Sequence, residues 1–491
     1  MNQLLSAMGT TNNATTTKNG DMAFKSTTSA VLDFFASGSA LRGQSAKHQV
    51  DLFVSAWMED PNLAIKTMFY ARDVRQGQGQ RGAFREQLKY LGQNHPDIAS
   101  RLVSVIPEFG RWDDLYSLFG TKAEDSAMAH ITNQLRKDMT GGAEPSLMAK
   151  WLKSENAHSK ETKRLATITR RALRMNSKTY RKVLSGLRAR LNLIETKMTE
   201  GDWSGIDYAK LPSMAMMKYR AAFARNDGAR FSEYIGKVTS GEEKINSGVL
   251  YPYDIIEKIG VFNYFQNESQ IDPALAQVMW DNLPNYLEDA PENFNAITVV
   301  DTSGSMRGAP INVAVSLGLY FAERDKGAFK NHLISFSDNP TLVKVEGGRL
   351  ADKVRHIGSF PWGMTTNLEA VFSLILKSAI DNEVPHRDMP NKIFIVSDMQ
   401  FNRCVTSHES VFECFKDRFA QHGYNLPDIV FWNVNAQVGK QPVTMNEQGV
   451  QLVSGLSPSI FKNIMGAELE TPMDLMMNVL NGERYNILNV V

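Results

Sequence analysis

The chain has 491 residues, 22% of them charged, and a formal net charge of +1 at pH 7. A chain of this length is expected to fold as two or more domains, each with its own core. The near balance of charge excludes a protein that attracts nucleic acid or membrane through its overall field. A nucleic acid or membrane partner must therefore bind to a local patch of charged residues.

The sequence has no run of about 18 apolar residues that could span a bilayer. Its first residues lack the charged segment and apolar stretch of a secretion signal. The two cysteines, Cys404 and Cys414, are not spaced as in a zinc or redox motif, and free thiols fit a reducing compartment. We therefore expect a cytoplasmic protein with no membrane partner.

Residues 1–28 are rich in Thr, Asn and Gly and have few apolar side chains, which predicts a flexible tail. From Ala30 onward, apolar residues recur at intervals close to helical, as at Val50, Phe53 and Trp57. This pattern predicts helices of about a dozen residues joined by short turns. The all-helical module is expected over residues 29–285, with no strand before Ala296.

Two short segments of this module contain unusual side chains. In residues 72–82, glycines alternate with arginines and glutamines, which is typical either of an anion-binding loop or of an exposed turn between helices. In residues 106–115, Trp112 and Leu115 are expected in the core. Asp113 and Asp114 are expected at a helix N-terminus, where negative charge is favourable.

Residues 150–190 are the most basic part of the chain, with thirteen Lys or Arg against Glu155 and Glu161. Ordinary solvated helix faces mix both signs, so this density favours a phosphate-rich partner. Trp151 and Tyr180 add rings that can stack on unpaired bases. The alternative is a basic surface neutralised by acidic segments elsewhere. The candidate RNA-binding residues are Lys150, Lys153, Lys163, Arg164, Arg170, Arg171, Arg174, Lys178, Arg181, Lys182 and Arg188.

The run from Ala296 to Val300 is apolar and β-branched, which predicts a strand buried on both faces. Asp301, Ser303 and Ser305 follow it at alternate positions. A carboxylate and two hydroxyls in one turn can converge on a hard cation such as Mg²⁺. The alternative is a plain serine-rich turn between a strand and a helix.

This Asp-x-Ser-Gly-Ser turn resembles the first loop of the metal-ion-dependent adhesion site (MIDAS) of von Willebrand factor A (vWA) domains. Two further segments resemble the other loops of such a site. Gly363 to Ala370 gives Thr366 the role of the ligating threonine, with Thr365 as a substitute because Met364 and Thr365 lengthen the spacing. Asp398 ends another apolar run. The resemblance implies Asp301, Ser303, Ser305, Thr366 and Asp398 as ligands of Mg²⁺, with Mn²⁺ or Ca²⁺ as alternatives.

Apolar strands and helices alternate through the rest of the C-terminal part. Alternation of this kind predicts a Rossmann-like, mainly parallel, doubly wound sheet. The predicted fold is multidomain, with an all-α module followed by an α/β vWA-like domain over residues 286–491 that ends in a helical extension.

A helical half followed by a vWA half resembles the TROVE family, and its Ro ribonucleoprotein branch in particular. The shared pieces are the MIDAS loops and the short segment Pro107 to Asp114. The resemblance implies a ring of HEAT-like helical repeats closed by the vWA domain, with single-stranded RNA ends in the ring and structured RNA on its basic surface.

Two functions follow as expectations. The first is RNA binding by the helical module, with a divalent cation in the vWA domain. The second is a metal-dependent interaction or assembly module, in which the MIDAS captures an Asp or Glu of a protein partner. Catalysis is not expected, because no histidine or other general base stands in a recognisable catalytic motif.

Overall fold

A computed structural model describes residues 13–41, 43–141, 144–262, 269–291, 294–360, 363, 365–402, 411–436, 440–465 and 471–489. Cys404 and Met364 lie outside these residues. The chain forms two compact units. The described residues of Met1–Ala71, Gln76–Gln80 and Ser247–Asn486 form the first unit, and those of Arg72–Arg75, Arg81–Asn246 and Ile487–Val491 form the second.

The helices follow one another along the whole chain. They are α1 (Ala30–Gly38), α2 (Ala46–Glu59), α3 (Pro61–Arg72), α4 (Gly82–Asn94), α5 (Pro96–Leu102), α6 (Ile106–Phe109), α7 (Glu124–Met139), α8 (Met148–Trp151), α9 (Lys160–Ala172), α10 (Ser177–Arg190), α11 (Ile194–Glu200), α12 (Ser213–Asn226), α13 (Gly228–Ser240), α14 (Pro252–Ile259), α15 (Pro273–Asp281), α16 (Ala309–Arg324), α17 (Leu350–Gly358), α18 (Leu368–Asp381), α19 (Val411–Gln421), α20 (Phe461–Met465) and α21 (Pro472–Leu480). Within the described part of the chain, each helix is too short or too polar to cross a bilayer.

The first unit is built on a six-stranded sheet. Its strands are β3 (Ala296–Val300), β4 (His332–Ser335), β5 (Leu342–Lys344), β6 (Lys392–Ser397), β7 (Asp428–Asn433) and β8 (Val450–Ser454), in the spatial order β5-β4-β3-β6-β7-β8. All neighbours are parallel except β4 and β5. The predicted α/β domain with a mainly parallel sheet is therefore confirmed, and the antiparallel edge strand β5 is an addition to it.

Both faces of β3 are buried, as its unbroken apolar sequence predicted. Ile297 and Val299 pack into a core with side chains of α18 and α19. Val300 faces α16 on the opposite side of the sheet. Helices on both faces hide the sheet from water, and this explains why its strands lack polar alternation.

The division into compact units differs from the predicted boundary between residues 285 and 286. Helices assigned by sequence to the helical module belong to the unit of the sheet: α1 contacts β8, and α14 contacts α16. The Ser454 hydroxyl donates to the Phe35 carbonyl at 2.8 Å. Sequence order cannot reveal this grouping, because the contacts join segments separated by hundreds of residues.

The prediction of a flexible tail through residue 28, with no strand before Ala296, is wrong for residues 13–28. Strands β1 (Ala14–Thr16) and β2 (Met22–Phe24) form an antiparallel hairpin. Phe24 exchanges two backbone hydrogen bonds with Gln441, and the Thr17 hydroxyl donates to the Phe401 carbonyl at 2.5 Å. Hydrogen bonds to residues that are distant along the chain keep this polar segment ordered. Its own composition does not indicate those bonds. Residues 1–12 lie outside the described residues.

Gly318 lets α16 approach β3 closely. A Cβ atom added there would lie 2.5 Å from Val300 Cγ2. Gly318→Ala gains helix propensity but overpacks this contact, so we expect a net loss of about 1 to 2 kcal/mol in the free energy of unfolding. Urea denaturation followed by circular dichroism measures it. Gly186→Ala on α10, where the added Cβ meets nothing within 4 Å, should be neutral or stabilising. Equal effects of the two changes would refute the close approach.

Candidate metal centre and basic helical surface

The candidate metal residues follow neighbouring parallel strands. Asp301 comes directly after β3, and Asp398 directly after β6, which pairs with β3 along its length. The carboxyl ends of parallel strands lie at one edge of the sheet, the usual place for ligands in open α/β folds. Both side chains are fully buried.

Asp301 is held by two donors. The Ser397 hydroxyl donates to Asp301 Oδ2 at 2.6 Å, and the Ser303 backbone N–H donates to Asp301 Oδ1 at 2.8 Å. The Ser303 and Ser305 hydroxyl oxygens lie 3.1 Å apart. The first loop therefore folds so that one carboxylate and two hydroxyls are close neighbours.

Asp398 joins this group through Ser305, whose side chain favours the ionised carboxylate and so opposes the effect of burial on its pKa. The Gln400 backbone N–H donates to Asp398 Oδ1 at 3.2 Å. Asp398 Oδ2 is buried and has no hydrogen-bond partner in the described part of the chain. An unpartnered buried carboxylate oxygen is costly unless a cation or a proton compensates it.

The electrostatics indicate the same need. Burial, with the charge of Asp398 added to it, raises the pKa of Asp301 to about 6. Burial also raises the pKa of Asp398 above its ordinary value. Two carboxyl groups that resist ionisation side by side are stabilised as anions by a divalent cation between them.

Thr366, the predicted threonine ligand, is also buried but has other partners. Its hydroxyl donates to the Gln400 carbonyl at 2.7 Å and lies 3.0 Å from Asn402 Oδ1. Thr366 is thus fixed to the loop that follows Asp398, and within the described residues no hydrogen bond joins it to either aspartate. Thr365, the predicted substitute, instead accepts from the Asp338 backbone N–H at 2.9 Å.

The donor set fits a hard cation. The described residues contain no group of three or more His, Cys, Asp or Glu arranged to hold a metal. The candidate set has only two carboxylates, and its other members are hydroxyls. Such a set suits Mg²⁺, which binds through one or two carboxylates and keeps several waters. A site rich in carboxylates or imidazoles would favour other ions.

Five of the eleven predicted RNA-binding residues have partners within the second unit. Lys150 lies 3.4 Å from Glu195, Lys153 lies 3.4 Å from Asp113, Arg164 lies 2.7 Å from Glu161, Arg170 lies 2.7 Å from Glu155, and Arg188 donates to the carbonyls of Ala149 and Leu152 and to the Ser154 hydroxyl. Arg188 is therefore a structural residue. The other four are partly neutralised.

The remaining six residues are exposed, and none forms an ion pair within the part of the chain that the structure describes. They lie on α9, on α10 and in the turn between these helices, and we call them the basic face. Its members are Lys163, Arg171, Arg174, Lys178, Arg181 and Lys182. The acidic side chain of these two helices, Glu161, is paired with Arg164 and so leaves the charge of the basic face uncompensated.

The two aromatic residues predicted to stack on bases differ in exposure. Tyr180 is fully buried, and its hydroxyl donates to the Lys153 carbonyl at 2.8 Å, so it belongs to the core. Trp151 is half-buried, with the Arg111 guanidinium 4.0 Å from its ring centre. Only Trp151 remains available to a ligand.

The sequence did not reveal the ion pairs of Asp113 and Asp114. Asp114 does accept from the Arg111 backbone N–H, as expected at a helix start. It is also fully buried and paired with Arg72 at 2.7 Å. Gly110 has to be glycine here, because an added Cβ would collide with Asp114 Oδ2 and lie 2.9 Å from Arg72 Nε. The pairing joins residues 42 positions apart, which no local pattern indicates.

Two family models match the chain. One described as "Domain of unknown function (DUF2828)" matches residues 17–169 and 144–290, which is more than half of the chain. The chain belongs to the DUF2828 family. A second model, "Domain of unknown function (DUF7788)", matches residues 295–484 and so includes the candidate metal residues.

A viral relative matches nearly the whole chain. The chain is 31% identical over 519 residues to "Uncharacterized protein L728" of Acanthamoeba polyphaga mimivirus, covering 98% of this chain and 89% of that protein. Among solved structures, the crystal structure of Deinococcus radiodurans RO (RSR) protein aligns over 93% of this chain and 99% of its own, with a TM-score of 0.38 and 12% identity. A likeness of that degree decides neither fold nor function, so the TROVE resemblance stays a prediction.

Proposed function

We propose that this protein binds RNA through the basic face of α9 and α10, and that its α/β unit holds a divalent cation. The observation that carries the proposal is the set of six exposed Lys and Arg side chains without acidic partners among the described residues. In a protein with a net charge of +1, this face is a local concentration of positive charge. Such a face releases counterions from a phosphate backbone when it binds.

A groove beside the basic face supports single-stranded RNA as the ligand. Its volume is about 740 Å³, and its walls include Trp151, Tyr219, Lys150, Lys218 and Arg181. Arg181 belongs to both the groove and the basic face. Aromatic rings beside cationic groups suit unpaired bases, which stack while their phosphates meet Lys and Arg.

In the α/β unit, the cation would be held by Asp301, Ser303, Ser305 and Asp398. Thr366 would fix the loop that follows Asp398 next to them. A bound Mg²⁺ would offer a coordination position to an anionic group of a ligand. The protein itself supplies the buried carboxylates and the neighbouring hydroxyl groups of the site. The unpartnered Asp398 Oδ2 supports this assignment.

Removing charge from the basic face tests RNA binding. We expect Lys178→Gln, Arg181→Gln and Lys182→Gln together to weaken binding of single-stranded RNA and to reduce the slope of log affinity against log salt by about 2. The reason is that three phosphate contacts no longer release counterions. Fluorescence anisotropy at several salt concentrations measures both quantities.

The matched control removes the same charge from scattered exposed sites of the second unit, as Lys89→Gln, Lys122→Gln and Lys244→Gln. We expect this variant to keep the wild-type salt slope. If both triple variants lose affinity equally, binding depends on net charge and not on the basic face. If the wild-type protein binds no RNA at low salt, the proposal fails.

The second candidate function is metal-dependent capture of a protein partner's Asp or Glu. The contact between Asp398 and Ser305, close to Asp301, favours it, since it gathers oxygen ligands at the sheet edge. Under this proposal the wild-type protein captures a partner from its native cell extract in Mg²⁺ and loses it in a chelator. Capture that is unchanged in the chelator would exclude it.

A further inference from the structure

Arginine side chains gather around Asp113 and Asp114 in the second unit. Among the described residues, five cationic side chains surround these two carboxylates, which leaves three positive charges in excess. The five are Arg72, Arg81, Arg85, Arg111 and Lys153. The cluster is separate from the six residues of the basic face.

The two carboxylates are already fully engaged. Asp114 accepts from Arg72 at 2.9 and 2.7 Å and from Arg85 at 2.7 Å. Asp113 lies 2.9 Å from Arg85 and accepts from Arg111 at 2.9 and 3.0 Å. Neither carboxylate has the capacity to neutralise a further arginine.

Arg81 is that further arginine. It is the residue before α4, it is exposed, and its guanidinium makes no ion pair within the described part of the chain. Burial and the charges of Arg111 and Arg85 hold the pKa of Arg81 below its ordinary value. The Arg85 backbone N–H donates to the Arg81 carbonyl at 3.2 Å, so Arg81 lies one helical turn from Arg85 and adds its charge to the cluster.

The neighbours of Arg81 are fixed and still reachable. The side chains of Arg85 and Arg111 are 30% and 25% exposed, so solvent reaches part of each side chain. Asp113 holds both in place, and Arg111 also lies 4.0 Å from the Trp151 ring centre. Planar donor groups fixed in advance bind an oxyanion with little loss of conformational entropy.

We propose that Arg81, Arg85 and Arg111 form a binding site for a phosphate group. The segment 72–82, which the sequence left open between an anion-binding loop and an exposed turn, thus contributes Arg81 to an anion site. The phosphate is either free or part of an RNA strand, and the same donors serve both. Trp151 borders both this cluster and the groove of about 740 Å³, which allows one strand to reach both. The site does not depend on RNA binding by the basic face.

Calorimetric titration of the full chain with inorganic phosphate tests the site. We expect saturable binding by the wild-type protein and about tenfold weaker binding by Arg81→Gln, since one charged donor group is lost. Arg136→Gln, which removes an exposed arginine from the last turn of α7, is the matched control and should bind like wild type. Phosphate should also raise the unfolding temperature of the wild-type protein more than that of Arg81→Gln, because general salt stabilisation acts on both alike.

Competition with single-stranded RNA separates the two sources of phosphate. If inorganic phosphate displaces RNA and Arg81→Gln weakens RNA binding, the site takes an RNA phosphate. If Arg81→Gln weakens only phosphate binding, the site takes a free phosphate, and either result supports the proposal. Absence of phosphate binding by wild type, or equal binding by Arg81→Gln, overturns it. RNA binding that persists in that case leaves the proposed function standing.

Discussion

At pH 7, Asp301→Asn is expected to abolish the rise in unfolding temperature that Mg²⁺ gives the wild-type protein, without destabilising the metal-free protein. The amide keeps the shape of the carboxylate and can still accept from the Ser303 N–H. It also removes one of two buried charges that repel each other. The substitution removes a metal ligand, which lowers the stability in Mg²⁺. It also removes a destabilising buried charge, which raises the stability of the metal-free protein.

The effect of Asp301→Asn on the stability of the metal-free protein also depends on pH. The folded protein raises the pKa of Asp301 from 3.8 to about 6, so between these values the folded state holds a proton that the unfolded chain releases. The resulting destabilisation is absent below about pH 4, grows up to about pH 6 and is constant above, on the order of 3 kcal/mol. In metal-free buffer, Asp301→Asn should therefore gain stability relative to wild type across that window.

Differential scanning fluorimetry with and without Mg²⁺, from pH 4 to about pH 8, measures both effects. Asp388→Asn is the matched control, because this exposed residue precedes β6 and so lies at the opposite edge of the sheet. The control should respond to Mg²⁺ and to pH like wild type. Stabilisation of Asp301→Asn by Mg²⁺ to the wild-type extent would show that the cation does not bind at this edge.

Asp114→Asn is expected to lower the free energy of unfolding by about 3 to 5 kcal/mol. The side chains of Arg72 and Asp114 are 2% and 0% exposed, so water cannot solvate the guanidinium when its partner loses its charge. Arg85 loses one of its two carboxylates at the same time. The cost of an uncompensated buried charge is the reason for the size of the effect.

Urea denaturation followed by circular dichroism gives this difference. The matched control is Asp51→Asn, which breaks an exposed ion pair with Lys47 whose side chains are 54% and 84% exposed. Exposed pairs are screened by solvent, so the control should unfold at nearly the wild-type urea concentration. A small effect of Asp114→Asn would mean that water or another carboxylate reaches Arg72.

Much of the fold could be predicted from local patterns. The unbroken apolar runs at β3 and β6 are possible only where helices cover both faces of a sheet, and alternation with helices implies parallel strands. The edge strand β5 was missed because it has three residues and only its central one, Val343, is buried. A strand that short leaves little periodicity to detect.

The candidate metal centre was predictable in part for the same reason. Asp301 and Asp398 each end a recognisable strand, and parallel strands bring their carboxyl ends to one edge. The hydrogen bonds of Thr366 to the loop after Asp398 could not be predicted, because they depend on how that loop folds. Likewise, a count of Lys and Arg could not distinguish Arg188, which holds three groups of the core, from the exposed Lys178.

The sequence alone determined where the helices and the buried parallel strands form and which turns place Asp and Ser side chains after those strands, since burial and turn chemistry act between near neighbours. Only the tertiary structure decided which charges are neutralised, that Arg72 meets Asp114, and that the hairpin of β1 and β2 is ordered. These contacts join distant segments. Their strength depends on the exclusion of water, and that is a property of the folded chain as a whole.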